Sequence, residues 1–465
     1  MYAPCNATCI FCILDLNLEE YLQANKAIKD WNDIESLQIL SKADVIGLTT
    51  TGAAKNFQLL RMLNPEIMIF EESGQVLESH VLSSLTPNLK KLILIGDHQQ
   101  LKPSVSTYAL AKNYNLDVSL FERLLNNGFE YVKLLEQHRM RPEISRIVKN
   151  EFYPDLQDHF SVHNYPKIKG LERSLYFLEH FEAEGNLEDS KSKTNQFEAE
   201  FLLSLADYLI KQGYEASKIT ILATYLGQMM LLQKLCQIEG VVISVVDNYQ
   251  GEENDIILLS LVRSNENASI GYLSIQSRIC VALSRAKMGM YIIGNMSDLS
   301  KASKMWTSIK NQLMQTNQIG PQLVLQCPFH PESKLNVTKS KDFMEFCQEN
   351  CGENLMCGHQ CDEICHKIDR SHKKEFKCMK PCLKSCTQNH PCSKLCSEPC
   401  QPCLVTELKT FSDCGHTGYA IVIDNFNSSP LCLFVMSGSS HLDFGQVSNV
   451  KIGVECQIIV IVIFF

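Results

Sequence analysis

No Gly-Lys dipeptide occurs anywhere in the 465 residues of the sequence. The phosphate-binding loop Gly-x4-Gly-Lys-Ser/Thr, which supplies backbone amides and a lysine to bound phosphates, is therefore missing. Positive charge is also scarce, because 43 Lys and Arg residues face 52 Asp and Glu residues, and the formal net charge is -9. This balance argues against a protein that holds nucleic acid by bulk positive charge, although it leaves local basic sites open.

Secretory and membrane-spanning segments are not evident. The first 18 residues lack a basic amino-terminal region and a small-residue cleavage site, which argues against a signal peptide. The apolar run 458–465 has eight residues, whereas a membrane-spanning helix needs about 20. Such a run is typical of a buried edge strand or of a non-native chain end, and we favour the chain end. We expect a cytoplasmic protein, with the nucleus as a second compartment, and no membrane partner.

Cysteine, by contrast, is abundant. Fourteen of the 21 cysteines lie between Cys327 and Cys414, with histidines interspersed. Twice the order Cys, His, Cys, Cys recurs, with one residue after the histidine and three before the last cysteine. Thiolates and imidazoles at such intervals can converge on tetrahedral zinc, whose binding supplies the folding free energy that a core-poor segment lacks. The candidate ligands are Cys357, His359, Cys361, Cys365, Cys378, Cys382, Cys386, His390, Cys392, Cys396, Cys400, Cys403 and Cys414.

Two other interpretations of the cysteines are weaker. A disulfide scaffold requires an oxidising compartment, which the interspersed histidines and the missing signal peptide argue against. A RING-like ubiquitin-ligase module has a cross-braced ligand order that differs from this repeat. Spacing alone leaves open which side chains share an ion. The pattern resembles the NF-X-type zinc finger, which implies structural or partner-binding fingers, because a closed four-ligand site has no open position for chemistry.

The middle of the chain has a different pattern. Runs that are apolar on both faces alternate with longer helical patterns, as is typical of parallel strands in α/β domains. Ligand sites in such open sheets lie beyond the carboxyl ends of strands, and several polar clusters follow or precede these runs. The predicted strands are 67–70, 92–95, 219–222, 241–246, 256–261 and 291–293.

Five polar clusters accompany these runs. Glu71 and Glu72 follow the first run, and such a pair can hold a phosphate-bound magnesium ion and orient a water molecule. Gly96, which follows the second run, permits a tight turn. The remaining clusters are Gly-Asp-x-x-Gln-Leu at 96–101, Gln-x-Arg-Met-x-Pro at 137–142, Asp-x-x-Gln-Gly-x-Glu at 247–253 and Val-Ala-Leu-Ser-Arg-Ala at 281–286. Arginine in the last cluster suits the stabilisation of charge on a transferring phosphoryl group.

Together the five clusters resemble, in this order, the motifs of superfamily 1 helicases of the Upf-like RNA helicase group, over residues 42–295. The resemblance implies RecA-like parallel-sheet domains, ATP with Mg²⁺, and single-stranded RNA held through its backbone. A helicase core followed by zinc fingers is similar to the NF-X-type zinc-finger-containing helicases. That similarity implies Zn²⁺, protein partners recruited by the fingers, and a role in antiviral or small-RNA pathways.

Residue roles follow from the same resemblance. Glu71 would be the magnesium-side carboxylate and Glu72 the general base that positions the attacking water. Gln100 would sense the γ-phosphate, and Arg139 and Arg285 would act as arginine fingers from the second RecA-like domain.

Further roles concern coupling and RNA. The resemblance implies that Glu253 contacts nucleotide ribose or phosphate, and that Gln250 and Gly251 couple the nucleotide to nucleic acid. Hydroxyls and amides can hold a nucleic-acid backbone without adding net charge. The residues implied to touch the RNA backbone are Thr50, Thr51 and Gly52. The residues that resemble accessory motifs, with capping of helices or strands as an equal alternative, are Asn195, Glu198, Tyr225, Gly227 and Gln228.

Two departures limit what the resemblance implies. Glu71 stands where many relatives have Asp, and without the Gly-Lys loop the first RecA-like domain lacks half of its nucleotide site. We therefore expect part of a longer RNA helicase, whose parent hydrolyses ATP while this chain alone does not. The alternative is an ATPase-inactive platform for RNA or protein.

The expected organisation has six parts. The first RecA-like domain is expected to be incomplete and the second complete, followed by a small Cys/His-rich zinc-binding region. The boundaries are 1–40 for an uncertain segment, 41–135 and 136–300 for the RecA-like domains, 301–326 for a connector, 327–416 for the fingers and 417–465 for an uncertain tail.

Overall fold

The computed structural model describes residues 7–186, 192–343, 347–365, 377–385, 389–400, 406–410 and 417–421. Its helices are α1 (Ala7–Leu40), α2 (Thr50–Lys55), α3 (Phe57–Leu63), α4 (Glu78–Ser84), α5 (Tyr108–Tyr114), α6 (Leu120–Asn126), α7 (Pro142–Glu151), α8 (Gln196–Lys211), α9 (Leu226–Leu235), α10 (Gln276–Leu283), α11 (Met296–Ala302) and α12 (Lys304–Gln315). Its strands are β1 (Ile67–Phe70), β2 (Lys91–Leu94), β3 (Glu136–Gln137), β4 (Gln157–Asp158), β5 (Leu175–Glu179), β6 (Gly185–Asn186), β7 (Lys193–Thr194), β8 (Ile219–Ala223), β9 (Val242–Val245), β10 (Asn254–Ser260), β11 (Ala286–Gly294), β12 (Ile319–Gly320), β13 (Leu323–Gln326), β14 (Lys334–Val337), β15 (Thr406–Thr410) and β16 (Thr417–Ile421).

The larger unit is built on a six-stranded sheet. Its strand order is β12-β5-β11-β10-β8-β9, and every pairing is parallel. Four of the predicted strands are β8, β9, β10 and β11, and each observed end lies within five residues of its predicted position. Parallel strands require crossover connections, and helices α8 to α10 supply them between the strands of this sheet. The predicted α/β class is confirmed.

Helices cover both faces of this sheet. Along β10, Ile257 and Leu259 point into a core shared with α7, α10 and α12, whereas Ile256 and Leu258 point into a second core shared with α8 and α9. All four side chains are fully buried. The alternation follows from the two-residue period of a strand, and burial on both faces explains the continuous apolar run in the sequence.

The segment 301–326, expected to be a connector, lies within this unit. Trp306 of α12 is completely buried in the first core, and its indole nitrogen donates to Leu273 O at 2.9 Å. Ile319 then pairs with Phe177 and adds the edge strand β12 to the sheet. Leu325 of β13 is buried in the second core. Apolar residues at helical spacing here cover the sheet, so the unit extends through β14.

The smaller unit precedes the larger one. Its sheet has two parallel strands, β1 and β2, which match the first two predicted strands to within one residue. One face packs a small core in which Phe70, Val76, Val81 and Leu120 are buried. Helix α6 packs on this core, because Leu124 lies one turn after Leu120 and contacts the same cluster. No helix in the described part of the chain is long and apolar enough to cross a membrane.

Candidate active site and metal centres

Two loops, one at the carboxyl end of β1 and one at the carboxyl end of β2, are hydrogen-bonded to each other and in close backbone contact. The backbone nitrogen and the hydroxyl of Ser73 both donate to Ile95 O, at 2.8 and 2.9 Å. A Cβ added to Gly74 would lie 2.6 Å from Asp97 O, and one added to Gly96 would lie 2.7 Å from Gly74 N. The sequence interpretation of Gly96 as a residue for a tight turn is therefore incomplete, because the glycine is needed for close backbone approach.

The glutamate that follows β1 is held from the other unit. Glu72 has a left-handed backbone, with φ of 49°, which is uncommon for a residue other than glycine. Gln250 Nε2 donates to Glu72 Oε2 at 2.9 Å, and Gln250 Oε1 accepts from Leu101 N at 3.2 Å. One amide side chain of the larger unit thus contacts both loops of the smaller unit. Glu71 is partly buried beside Glu72.

Arg285 precedes β11 and is 1% exposed. Its guanidinium donates to Val281 O at 2.9 Å, to Ser284 Oγ at 2.7 Å, and across the cleft to Gln100 Oε1 at 3.2 Å. Burial, with a further contribution from Arg139, lowers the pKa of Arg285 to about 10. The side chain therefore keeps its positive charge at neutral pH, aimed at the predicted phosphate sensor.

Arg139 and Glu253 form the rim of the same cleft. The Glu253 carboxylate accepts from Arg139 Nε and, at 2.7 Å, from Lys287 Nζ. Arg139 Nη1 also donates to Ser284 O at 3.1 Å. Glu253 and Arg285 precede the amino ends of β10 and β11, whereas Glu72 follows the carboxyl end of β1. The cleft therefore joins opposite strand ends of two sheets.

Acidification is expected to release this ion pair. Burial alone would raise the pKa of Glu253, but hydrogen bonds from Lys287 and Arg139 outweigh it and hold the pKa below the usual glutamate range. A carboxyl with a lowered folded pKa stabilises the fold above its unfolded pKa, and this contribution is lost as pH falls through the folded pKa. Lys287→Ala and Arg139→Ala should each raise the pKa of Glu253 in an NMR titration. The control Lys211→Ala removes an exposed ion pair on α8 and should leave that pKa unchanged.

Tyr153 belongs to the cleft, although no motif in the sequence indicated it. Its hydroxyl donates to Asp97 Oδ2 at 2.6 Å and lies 3.0 Å from Cys280 Sγ. Gln100 Nε2 donates to the same Asp97 oxygen at 3.0 Å. Burial, together with the nearby Cys280 and Asp97, raises the pKa of Tyr153, so the phenol stays protonated. Tyr153 lies two residues after α7, and α7 packs against α10, which carries Cys280.

The predicted RNA residues lie elsewhere, on the short helix α2. Thr49, the residue before them, caps that helix, because its hydroxyl accepts from Gly52 N at 3.0 Å. Thr51 is exposed and Thr50 is partly buried. Helix α2 packs on α3 and α4 of the smaller unit.

The accessory residues make structural contacts. Asn195 caps α8, and its backbone exchanges two hydrogen bonds with the buried amide of Gln228, at 2.7 and 3.0 Å. Gly227 N donates to Ser192 Oγ at 2.8 Å. These contacts fix the loop before α8 against α9, as the capping alternative expected.

The cysteine-rich segment brings its ligands together in groups that sequence spacing did not define. Among the described residues from 327 onward, three groups have ligand atoms within 4.8 Å of one another: Cys327, His330, Cys347 and Cys365; Cys357, His359, Cys378 and Cys396; and Cys382, Cys392 and Cys400. No disulfide joins the cysteines between 236 and 400 that the structure describes. The predicted ligands Cys386, Cys403 and Cys414 lie outside the described residues.

Each predicted repeat is divided among different groups. Cys357 and His359 share a group with Cys396, whose Sγ lies 3.4 Å from His359 Nδ1. Cys365 joins another group, and Cys361 lies with Cys351 in a small buried cluster. His390 is in none of these three cysteine-containing groups. The ligands of different groups therefore alternate along the sequence, so one repeat does not correspond to one site.

The group around His359 has the dimensions of a zinc site. Tetrahedral zinc, with Zn–S of about 2.3 Å and Zn–N of about 2.05 Å, places two sulfurs about 3.8 Å apart and a sulfur and nitrogen about 3.6 Å apart. His359 Nδ1 lies 3.5 Å from Cys357 Sγ and 3.7 Å from Cys378 Sγ. Three thiols and an imidazole are ligands that zinc prefers, so these residues fit the ion.

Comparison with known proteins gives a consistent set of relatives. Two family models, each described as an AAA domain, match residues 18–107 and 116–297. The chain is 50% identical over 389 residues to NFX1-type zinc finger-containing protein 1 of Mus musculus, and 51% identical over 389 residues to that of Homo sapiens. Each alignment covers 82% of this chain and 20% of the relative, so the chain spans about a fifth of the length of these relatives. It is also 40% identical over 307 residues, 64% of this chain and 30% of the relative, to the helicase required for RNAi-mediated heterochromatin assembly 1 of Schizosaccharomyces pombe.

Proposed function

The chain belongs to the superfamily 1, Upf-like helicases that carry NFX1-type zinc fingers, and on this premise we propose that it forms part of an ATP-dependent RNA helicase. One observation supports the proposal most directly. Side chains from motifs up to 185 residues apart meet in one cleft, where Gln250 contacts Glu72 and Arg285 contacts Gln100. All four residues are polar or charged, and they are partly or fully buried. Such an arrangement suits the stabilisation of phosphate charge between two domains.

The proposed roles divide by charge. Glu71 would hold Mg²⁺, which supplies charge neutralisation when bound, and Glu72 would accept a proton from the attacking water. Gln100 would report on the terminal phosphate. Arg139 and Arg285 would offset the negative charge that spreads over phosphoryl oxygens. Their carboxylate and amide partners already hold these groups at the cleft.

Gln250 and Gly251 are proposed to couple the cleft to RNA. Because Gln250 bridges the Glu72 carboxylate and the Leu101 amide, a shift of the larger unit would move the proposed base directly. Gly251 has φ of 82°, a left-handed conformation that glycine adopts without strain. Glu253 would contact ribose or phosphate once released from Arg139. The residues proposed to hold the RNA backbone are Thr50, Thr51 and Gly52.

The fingers are proposed to bind Zn²⁺ and recruit protein partners. Their thiols require a reducing compartment, so we place the protein in the cytoplasm, with the nucleus as a second site. By family, the pathway would be an antiviral or small-RNA one. These assignments concern the whole protein, of which the chain provides the cleft residues and fingers.

A second function is an ATPase-inactive platform that binds RNA or protein. The observation that favours it is the missing Gly-Lys loop, since no other lysine in a glycine-rich loop replaces it in the sequence. The retained Gln100, Arg139, Glu253 and Arg285 favour the helicase.

Two measurements on the purified chain test the proposal. We expect single-stranded RNA to bind in a fluorescence anisotropy titration, and phosphate release from ATP with RNA to stay at background, because the phosphate-binding amides and lysine are missing. Glu72→Gln is the matched control and should change neither result. Turnover that Glu72→Gln abolishes would show a complete ATPase and contradict the expected inactivity. Failure to bind RNA would instead favour a protein-binding platform.

A further inference from the structure

The hairpin of β13 and β14 is fixed to the larger unit. Leu325 is fully buried in the core beneath α8, and Gln326 N donates to Gly170 O at 3.0 Å. Lys334 pairs with Glu172 at 2.8 Å on the same surface. After the hairpin, Phe343 packs edge-on against Phe201 of α8, with ring centroids 5.1 Å apart. The turn of this hairpin is therefore held rigidly at the surface of the sheet domain.

The turn carries two potential metal ligands. Cys327 directly follows β13, and His330 lies three residues later. Hydrogen bonds from Cys327 N to Ser333 O, at 3.1 Å, and from Ser333 N to His330 O, at 2.9 Å, close the turn. Both side chains consequently point at one place. Neither residue is part of the Cys/His repeat, so repeat spacing did not identify them.

Two cysteines of the finger segment complete the group. Cys347 Sγ lies 3.3 Å from His330 Nδ1, and Cys365 Sγ lies 3.7 Å from Cys327 Sγ. Cys327 Sγ lies 3.7 Å from His330 Nδ1. A disulfide needs about 2.05 Å between sulfurs, whereas a tetrahedral zinc site separates its sulfurs by about 3.8 Å. Cys327 and Cys347 are 1% and 7% exposed, so the site is closed to solvent on that side.

We propose that Cys327, His330, Cys347 and Cys365 bind one Zn²⁺ ion that joins the helicase domain to the zinc fingers. Two ligands come from the rigid hairpin, and two come from the ends of the segment 347–365. Backbone hydrogen bonds from Cys365 N to Glu349 O and from Cys351 N to Glu363 O, both 2.7 Å, close that segment into a loop. The ion would thus bind both ends of the segment 347–365 and fix the orientation of this segment on the sheet domain. This inference does not depend on the proposed ATPase chemistry.

Metal analysis of the purified chain tests the site. Cys327→Ser and His330→Ala should each lower the zinc content by about one ion per chain, whereas His330→Cys should retain it, because a four-thiolate site also binds zinc. The control is Cys236→Ser, which removes a partly buried cysteine outside the three groups and should lose no zinc. Wild-type zinc content in both Cys327→Ser and His330→Ala would overturn the assignment.

Hydrogen exchange tests whether this ion joins the fingers to the helicase domain. In His330→Ala, the amides of Cys351 and Cys365 should lose protection and the finger segment should tumble independently in NMR relaxation, while amides of β10 stay protected. In His330→Cys both properties should match the wild type. If His330→Ala loses its zinc yet the fingers still tumble with the helicase domain, the four residues bind the ion. The proposal that the ion joins the fingers to the helicase domain would then be wrong.

Discussion

A zinc-selective chelator is expected to unfold the fingers while leaving the helicase domain folded. The described residues between 347 and 400 have almost no hydrophobic core, because Leu355 is their one buried apolar side chain besides cysteine. Met356 and Met379 are 92% and 67% exposed. Structural zinc contributes about 10–16 kcal/mol per site in small fingers at neutral pH. The described residues of this segment have no hydrophobic core that could replace a contribution of that size.

Hydrogen exchange followed by mass spectrometry measures this effect. The amides of Leu355 and Cys392, which donate to His359 O at 2.7 Å and to Lys384 O at 3.0 Å, should exchange at the rate of an unfolded chain after chelation. Amides of β10 and β11 serve as the internal control, since the two cores of the sheet domain need no metal. Fingers that stay protected after metal analysis has shown complete zinc removal would contradict the prediction.

Glu198→Ala is expected to destabilise the sheet domain by about 3–5 kcal/mol. The Glu198 carboxylate is fully buried and accepts from the Val262 amide at 2.9 and 3.0 Å, from the Ser260 hydroxyl, and from His180. Val262 has φ of 70°, which is strained for a β-branched residue. The substitution would leave buried donors unsatisfied and remove the contact that holds this strained turn.

Urea denaturation of the zinc-loaded protein, followed by circular dichroism, gives the free energy of unfolding. Glu200→Ala is the matched control, because Glu200 is exposed on the same helix and pairs with Gln196, an interaction worth a few tenths of a kcal/mol. A loss below about 1 kcal/mol in Glu198→Ala would show that the strand end relaxes without the carboxylate. It would also weaken the view that Glu198 is structural.

Much of the sheet domain was predictable from the sequence. Residues 256–259 are apolar without interruption, as is typical of a strand buried on both faces, and all four side chains are fully buried in β10. The order of the five polar clusters indicated the helicase family, which the relatives confirm. Composition located the candidate metal-binding region, because fourteen cysteines lie within fewer than a hundred residues that contain few large apolar side chains.

The remaining features depend on contacts between residues that lie far apart in the sequence, and the sequence did not predict them. Tyr153 has no motif around it, and its place beside Asp97 depends on where α7 packs. The role of Gly96 is likewise a contact with a loop 22 residues away. Trp306 looked like part of a linker, since helical periodicity does not reveal what the apolar face will cover. Ligand groups were undetermined because many pairings satisfy the same spacing.

The sequence by itself determined the parallel α/β class, the family and the kinds of ligand in the cysteine-rich segment. Each of these follows from local periodicity and residue type, which are properties of short stretches of chain. The tertiary structure alone decided that Gln250 reaches Glu72, that Arg285 reaches Gln100, and that Cys327 and His330 meet Cys365. Those contacts depend on how buried layers pack over long distances, and packing is a property of the whole fold.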